Sequence, residues 1–360
     1  MKCILLASIV VSISPSLFAQ QPVINGSPVN VSSSIESNEI AGGPVNVRNN
    51  LIDGVYIAEH IPTKRMIPYE HVREADAIWS KRVWSYIDLR QRSNHLMYYP
   101  LDDISRSGVW TRNNSRWSLW TILRTHILNG DLTIYSPYNP VLMGFSGWDG
   151  DQLKYPIKPQ PGLNYANDSQ FREDLTYYLA EVGEQSTVAK IIEDVNDPRF
   201  GEYMTEVNDK GETIIVYEDP DTTWLTSKDI VEYRIKEDWF FDKERSVMDK
   251  RIIAIAPVKY TKEMVNGQEQ ITGMEEVFWL YFPHCRYVLN NYFIYNPNND
   301  SQQMSFDDLF WKRMFQSVIY KESNTADRTI GDYRFGIDAL QEAEMIKEEM
   351  RSIEHDIWSF

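Results

Sequence analysis

Apolar side chains recur at helical spacing in the segment EADAIWSKRVWSYIDLR, residues 74–90. Four of them fall on one stripe of a helix with 3.6 residues per turn: Trp79, Val83, Tyr86 and Ile87. Charged side chains lie roughly opposite, and Trp84 lies off the stripe beside basic residues. The pattern predicts an amphipathic helix that buries Trp79 and leaves Trp84 available to a partner.

A second helix is predicted in SRWSLWTILRTHILNG. Asn114 or Ser115 is the expected N-cap, because their side-chain oxygens can accept from free backbone N–H groups. Asn129-Gly130 marks the expected end, since glycine readily takes the left-handed conformation that closes a helix.

Two further helices are predicted near the end of the chain. In SFDDLFWKRMFQSVIYKES, Ser305 and Asp308 have the spacing of a capping box. A last amphipathic helix covers 336–360, with apolar residues spaced alternately four and three apart: Ala339, Ala343, Ile346, Met350, Ile353 and Ile357. Since the repeat is short for a coiled coil, we expect this helix to pack on the protein's own body rather than on a partner helix.

Strand patterns dominate the middle of the chain. GETIIVYED reads as a strand, and RSVMDKRIIAIAPVKY is joined to QITGMEEVFWLYFP through VNGQ, whose Asn-Gly is a hairpin signal. The stretch 277–282 is apolar at every position, which indicates a central strand covered on both faces. The sequence therefore predicts an α+β protein, with helices at both ends around a mainly antiparallel central sheet.

The N-terminal region has a different composition. Residues 1–19 have the basic start and short apolar run of a secretory signal peptide, which predicts export. Residues 20–52 contain GSPVNV and GGPVNV but few bulky apolar side chains, so we expect an extended or flexible arm. It could add as a strand to a neighbour or serve as a plain tether. A globular part is expected over 53–335, helical at about 70–130 and strand-rich at about 200–295.

Charge is unevenly distributed along this acidic chain. The formal net charge is −16, yet residues 64–124 hold eleven Lys or Arg against six Asp or Glu, a net charge of +5. The acidic total argues against a nucleic-acid partner, and no apolar run after the signal is long enough to insert directly into a membrane.

The usual signatures of catalysis are weak. Ser146 nearly matches a nucleophile elbow but lacks its second glycine, and the Asp149–Asp151 loop fails the calcium consensus. The six histidines show no zinc-ligand spacing, and no phosphate-binding glycine loop occurs, so we predict no metal, cofactor or catalytic site. Cys285, the one cysteine after the signal, is either a core residue or an interchain thiol.

Several long blocks, in order, resemble the GldN/PorN family of the type IX secretion and gliding-motility machinery. The blocks are READAIWSKRVWSYIDLRQRSNHLMYYP, KEDWFFDKERSVMDKRIIAIAP, EVFWLYFP, MSFDDLFWKRMFQSVIYKESN and IEHDIW. The resemblance implies a non-enzymatic periplasmic subunit of a large homo-oligomeric ring, associated with the outer membrane through a GldK/PorK-type lipoprotein. It also implies contact with the periplasmic region of a GldM/PorM-type protein, which with GldL/PorL forms a proton-driven motor.

A ring needs two complementary surfaces on each copy. We therefore expect Lys81, Arg82, Trp84, Arg90 and Arg92 to face an acidic surface of the next copy or of the lipoprotein. The alternative for the basic residues is a solvated helix face. A periplasmic hydrolase of envelope glycans and a glycan-binding module remain the competing functions, because abundant carboxylates and aromatic rings would suit either.

Overall fold

The structure is a computed structural model. It describes residues 66–105, 109–113, 116–138, 150–183, 189–190, 203–207, 213–215, 217, 222–265, 268–299, 302 and 304–357. The expected signal peptide and arm lie outside the described residues, as do Ser146 and Asp149.

The described residues form six α-helices and sixteen strands. The helices are α1 (His95–Tyr98), α2 (Leu119–Leu128), α3 (Ser169–Leu179), α4 (Phe282–Leu289), α5 (Phe306–Trp311) and α6 (Ile337–Ile357). The strands are β1 (Ala77–Asp88), β2 (Asp103–Ile104), β3 (Trp110–Thr111), β4 (Ile134–Tyr135), β5 (Pro156–Ile157), β6 (Ala180–Val182), β7 (Thr205–Val207), β8 (Thr213–Ile215), β9 (Thr222–Trp224), β10 (Ile230–Asp242), β11 (Val247–Val265), β12 (Gln268–Glu276), β13 (Trp279–Tyr281), β14 (Phe293–Ile294), β15 (Met304–Ser305) and β16 (Val318–Glu322).

One antiparallel sheet organises the protein. Its strand order is β16-β1-β10-β11-β13-β4-β5, and β12 pairs with β11 beside β13. The long strands β10 and β11 lie at its centre, and the other strands form short two-stranded pairs. The expected α+β class with a mainly antiparallel sheet is confirmed.

The helix predicted over residues 74–90 is wrong, because this segment is the interior strand β1. Val83, Ser85 and Ile87 point to one face of the sheet, whereas Trp84 and Tyr86 point to the other. Both faces are covered, so the strand lacks the clean apolar-polar alternation that would have identified it. Pairing with β10 along almost the whole strand supplies the backbone hydrogen bonds.

Helix α2 is confirmed, but its predicted N-cap is wrong. The cap is Ser118, whose side chain accepts from the backbone N–H of Thr121. The helix ends at Asn129 and Gly130 as predicted, and Gly130 has a φ of +82°. Nearly all of α2 is buried, and its apolar side chains form part of the main core.

The helix predicted from Ser305 is shorter than expected. The capping box of Ser305 and Asp308 is present, but α5 ends at Trp311. Arg313 then takes a φ of +51°, and the β-branched stretch from Val318 forms β16 against β1. Tertiary pairing has overridden a local pattern that could continue as a helix.

The predicted hairpin is confirmed by the pairing of β11 with β12, in which Val265 lies opposite Gln268. Asn266 and Gly267 lie outside the described residues. The predicted central strand is also confirmed, since β13 lies between β11 and β4 and its Trp279 and Leu280 are buried.

The C-terminal helix α6 packs on the body of the protein, as expected. Ala343, Ile346 and Met350 are buried against Val83, Trp239, Ile319 and Ile330. This cluster is separate from the main core but lies on the same face of the sheet, since Val83 and Ile87 point to one side of β1, so α6 covers its own part of that face.

Candidate partner-binding surface

The predicted docking residues lie on one strand and in the turn after it. Lys81, Arg82 and Trp84 belong to β1, and Arg90 and Arg92 follow its end. Because successive side chains of a strand point to opposite faces, Lys81 lies on the other face of the sheet from Arg82 and Trp84. The five residues therefore do not form one continuous surface.

Two of these basic residues are paired with acids of neighbouring strands. Arg82 donates two hydrogen bonds to the Asp238 carboxylate, at 2.6 and 2.8 Å. Lys81 Nζ lies 2.7 Å from Glu322. Since all four side chains keep contact with solvent, each pair contributes only about 0–1 kcal/mol to stability. The pairs nevertheless place the Asp238 and Glu322 carboxylates beside Arg82 and Lys81, which reduces the positive charge that an acidic partner would meet.

The turn after β1 contains two arginines, of which one is paired with a described residue and the other is not. Arg90 forms a fork with Asp88, with Nε–Oδ1 and Nη2–Oδ2 distances of 2.9 Å. Hydrogen bonds from Arg90 lower the pKa of Asp88. Arg92 is exposed and makes no ion pair with a described residue. Of the five predicted residues, Arg92 is the basic one that no described acidic residue neutralises, so its charge can still act on a partner protein.

Trp84 is a buried residue rather than an exposed contact. Its side chain is 8 % exposed, and its indole N–H donates to Asp151 Oδ2 at 3.0 Å. The Nζ atoms of Lys236 and Lys321 lie 5.6 and 4.7 Å from its ring centroid, so the two strands beside β1 each place an ammonium near the ring. This burial removes Trp84 from the candidate surface and corrects the prediction that it is accessible.

Lys236 completes the arrangement around Trp84. Its Nζ donates to the Asp151 backbone carbonyl at 2.7 Å and lies 3.1 Å from Oδ2 of the same residue. Burial lowers the pKa of Lys236, and the Asp151 charge opposes that shift. Asp151, a failed calcium ligand in the sequence, thus anchors its own segment to the sheet.

A charged row on β10 was missed by sequence reasoning. Glu232, Arg234, Lys236 and Asp238 alternate along one face of the strand. Arg234 bridges Glu232 at 3.2 Å and Glu276 of β12 at 2.8 Å. Burial raises the pKa of Glu232. The signal was present in the sequence VEYRIKED, whose charges recur every second residue.

His126 belongs to a buried hydrogen-bonded chain within the main core. Its Nδ1 lies 2.7 Å from Asp131 Oδ2, and its Nε2 lies 2.8 Å from the Tyr292 hydroxyl. Burial raises the pKa of Tyr292, so the phenol keeps its proton and serves as a hydrogen-bonding group. Both ring nitrogens are satisfied, which is typical of a structural histidine.

Cys285 is buried on α4, so of its two predicted roles the structure favours the core residue over the interchain thiol. The neighbouring His284 also lies on α4. The Cys285 side chain contacts the Tyr281 carbonyl at 3.5 Å, and burial raises the pKa of the thiol to about 12. A protonated, enclosed thiol cannot reach a second chain.

Exposed apolar side chains also form two small clusters elsewhere on the described surface. Phe335 and Ile337, at the start of α6, are 77 % and 74 % exposed, and Leu340 follows one turn later. Ile271 and Met274 project from the hairpin of β11 and β12. Clustered apolar side chains on a surface are typical of sites that contact another protein. These two places are stronger candidates for contact than the middle of β1.

Within the described ranges, no group of three or more His, Cys, Asp or Glu side chains could hold a metal ion. No helix in the same ranges is long and apolar enough to cross a membrane.

Comparison with known proteins gives one finding that covers most of the chain. A family model described as gliding motility associated protein GldN matches residues 72–359. A search of curated proteins finds no match. The matched range runs from just before β1 to beyond the end of α6 and so includes the whole sheet. The chain therefore belongs to the GldN family, whose members are involved in gliding motility and type IX secretion.

Proposed function

We propose that this protein is a structural subunit of the type IX secretion and gliding machinery, located in the periplasm. It assembles with further copies into a large ring, binds an outer-membrane lipoprotein of the GldK/PorK type, and contacts the periplasmic region of a GldM/PorM-type protein. The GldN family match over residues 72–359 carries the proposal. GldN is a family of motility components rather than of enzymes, so the proposed role is non-catalytic.

The distribution of exposed apolar side chains supports assembly. A closed ring joins one surface of each copy to a different surface of the next. The start of α6, with Phe335 and Ile337, and the hairpin, with Ile271 and Met274, belong to different elements of the fold. They offer two distinct apolar surfaces on one chain.

Isolation of the envelope complex tests the main proposal. A tag on the full-length chain should recover very large particles that contain many copies together with a lipoprotein. Particle size and composition would be measured by light scattering and mass spectrometry. A small monodisperse monomer without partners would overturn the proposal.

Arg92 gives a sharper test of the electrostatic contribution. A charge reversal at Arg82 would also leave Asp238 without its ion-pair partner, whereas Arg92 has no ion pair among the described residues. Arg92→Glu should therefore leave the melting temperature unchanged and reduce the amount of co-purified partner. Lys312→Glu, at another exposed position, is the matched control for charge. Equal recovery with both variants at low salt would show that Arg92 does not contact the partner.

One observation favours glycan binding as a second candidate. A cavity of about 420 Å³ is lined by aromatic rings, among them Tyr99, Trp117 and Tyr295, with Arg116 against the Tyr295 ring. Such rings can stack on sugars as well as on protein side chains. Co-sedimentation of the wild type and of Tyr99→Ala with peptidoglycan decides between glycan binding and the structural role. Binding that is lost in the variant would support a glycan-binding module, and no binding would favour the structural role.

A further inference from the structure

The strand β12 has one side without a strand partner among the described residues. It pairs with β11 from Val258–Glu276 to Val265–Gln268, and with no other described strand. The other side of a nine-residue strand thus presents backbone N–H and C=O groups. Such an edge is a template to which an extended segment can add.

A bulge places the exposed apolar side chains of this edge on one face. Tyr260 lies opposite Met274 and Lys262 lies opposite Ile271, so the register gains a residue at Thr272. Cross-strand partners share a face, and Tyr260 and Lys262 are two residues apart. Ile271 and Met274 therefore lie on the same face, where they are 61 % and 42 % exposed. An added strand would find apolar contacts beside its hydrogen bonds.

Three tyrosines lie near the Glu275 end of the strand. A cavity of about 390 Å³ separates β12 from Tyr138, Tyr177 and Tyr178. The Tyr177 ring packs edge-on against both other rings, and its side chain is largely exposed. The tyrosine rings give this cavity an apolar part that suits proline and valine side chains, beside charged lining residues such as Lys259 and Glu275.

We propose that the second PVNV unit of one copy, residues 44–47, adds as a strand to β12 of a neighbouring copy. In this unit the two valines are two residues apart, so an extended backbone directs both to one face. Proline stands at the first position, where a missing N–H is tolerated in an edge strand. This proposal rests on the proposed assembly and specifies one contact within it.

The length of chain before the described residues allows this contact to be made between copies. Eighteen residues lie between Val47 and Met66, and the nineteen steps from one to the other can span at most about 65 Å. A folded body of this size has a diameter of roughly 50 Å. The second PVNV unit can thus reach across an adjacent copy.

Cysteine cross-linking in the full-length chain tests the contact. The double variant Val45→Cys/Ile271→Cys would be treated with a short bismaleimide, in the purified chain and in the isolated envelope complex. Because Cys285 is buried and its thiol pKa is about 12, it does not compete. Thioethers between copies give a ladder of dimers, trimers and larger species on a denaturing gel.

The matched control is Val45→Cys/Ile78→Cys. Ile78 is as exposed as Ile271 and lies on β1 where β16 does not pair with it. Specific addition to β12 should give on the order of tenfold more ladder than the control, since tethered partners reach millimolar effective concentration. Equal ladders, a cross-link only within one chain, or no cross-link would each overturn the proposal. An intact complex without the ladder would leave the ring function standing, whereas failure to isolate any complex would instead count against that function.

Discussion

Breaking the ion pair between Arg313 and Glu237 should destabilise the protein strongly. Arg313 donates to both Glu237 oxygens, at 2.7 and 3.1 Å, and the Trp239 indole N–H donates to the same carboxylate at 3.1 Å. Glu237 is 1 % exposed, so Arg313→Ala leaves a buried carboxylate with one neutral donor. Loss of one partner of a buried pair costs roughly 3–5 kcal/mol. The Arg313 side chain is 29 % exposed, which places the expected cost near the lower end of that range.

The backbone of Arg313 allows a second, independent comparison. Its φ of +51° is a left-handed conformation that costs a non-glycine residue about 1–2 kcal/mol. Arg313→Gly loses the same ion pair but relieves that strain, and part of the gain is offset by the greater freedom of glycine in the unfolded chain. We therefore expect Arg313→Gly to be about 1 kcal/mol more stable than Arg313→Ala.

Urea unfolding followed by tryptophan fluorescence measures both differences as shifts of the midpoint at constant slope. An Arg313→Ala variant within about 1 kcal/mol of the wild type would refute the account of the buried pair. A glycine variant less stable than the alanine variant would refute the strain argument alone.

Three further predictions concern other parts of the fold. Because Ala343 is fully buried, Ala343→Asp should lower the free energy of unfolding by roughly 3 kcal/mol and expose α6 to proteases. The control Met345→Asp, at an exposed position, should stay within about 0.5 kcal/mol of the wild type. Cys285 should react with iodoacetamide at pH 8 only after unfolding, and rapid labelling of the native chain would contradict its burial. Burial raises the pKa of Glu232, so this residue should cost the wild type stability as pH rises from 4.5, the ordinary value, through the folded pKa. Glu232→Gln should lack that loss when both proteins are unfolded in urea across this pH range. Parallel pH profiles of the two proteins would disprove the prediction.

The segment 74–90 shows where sequence reasoning fails in this protein. Trp79, Val83, Tyr86 and Ile87 satisfy a helical period, yet residues 83–88 also alternate between two covered faces of a sheet. A strand that is buried on both sides has no polar face to reveal its period of two. What decides the outcome is β10, a partner about 150 residues further along the chain.

Local signals were more informative where the chemistry is local. The capping box at Ser305 and Asp308 depends on neighbouring residues, and the hairpin after Val265 depends on a short turn. Both could be predicted from the sequence. The end of α5 could not, because it depends on the pairing of β16 with β1 and on the long-range contact of Arg313 with Glu237.

The surroundings of the predicted docking residues differ from the sequence-based expectation for the same reason. The basic residues of β1 form a positive segment in the sequence, but folding brings Asp238 and Glu322 from distant strands to within hydrogen-bonding distance. The net charge of a segment therefore says little about the potential of the surface on which that segment lies. Two acidic and two basic side chains at every second position of one strand, as in Glu232, Arg234, Lys236 and Asp238, are a better sign of a neutral, paired row.

These contacts separate what marks the family from what can bind a partner. The β1 segment contributes one of the longest blocks of resemblance, yet it lies inside the sheet with Trp84 buried. Its sequence is therefore constrained by packing and ion pairing within the chain. Two clusters of apolar side chains accessible to another molecule lie at the start of α6 and on β12. If the protein forms a ring, substitutions in those clusters should impair assembly while the monomer stays folded, whereas substitutions in β1 should impair both together.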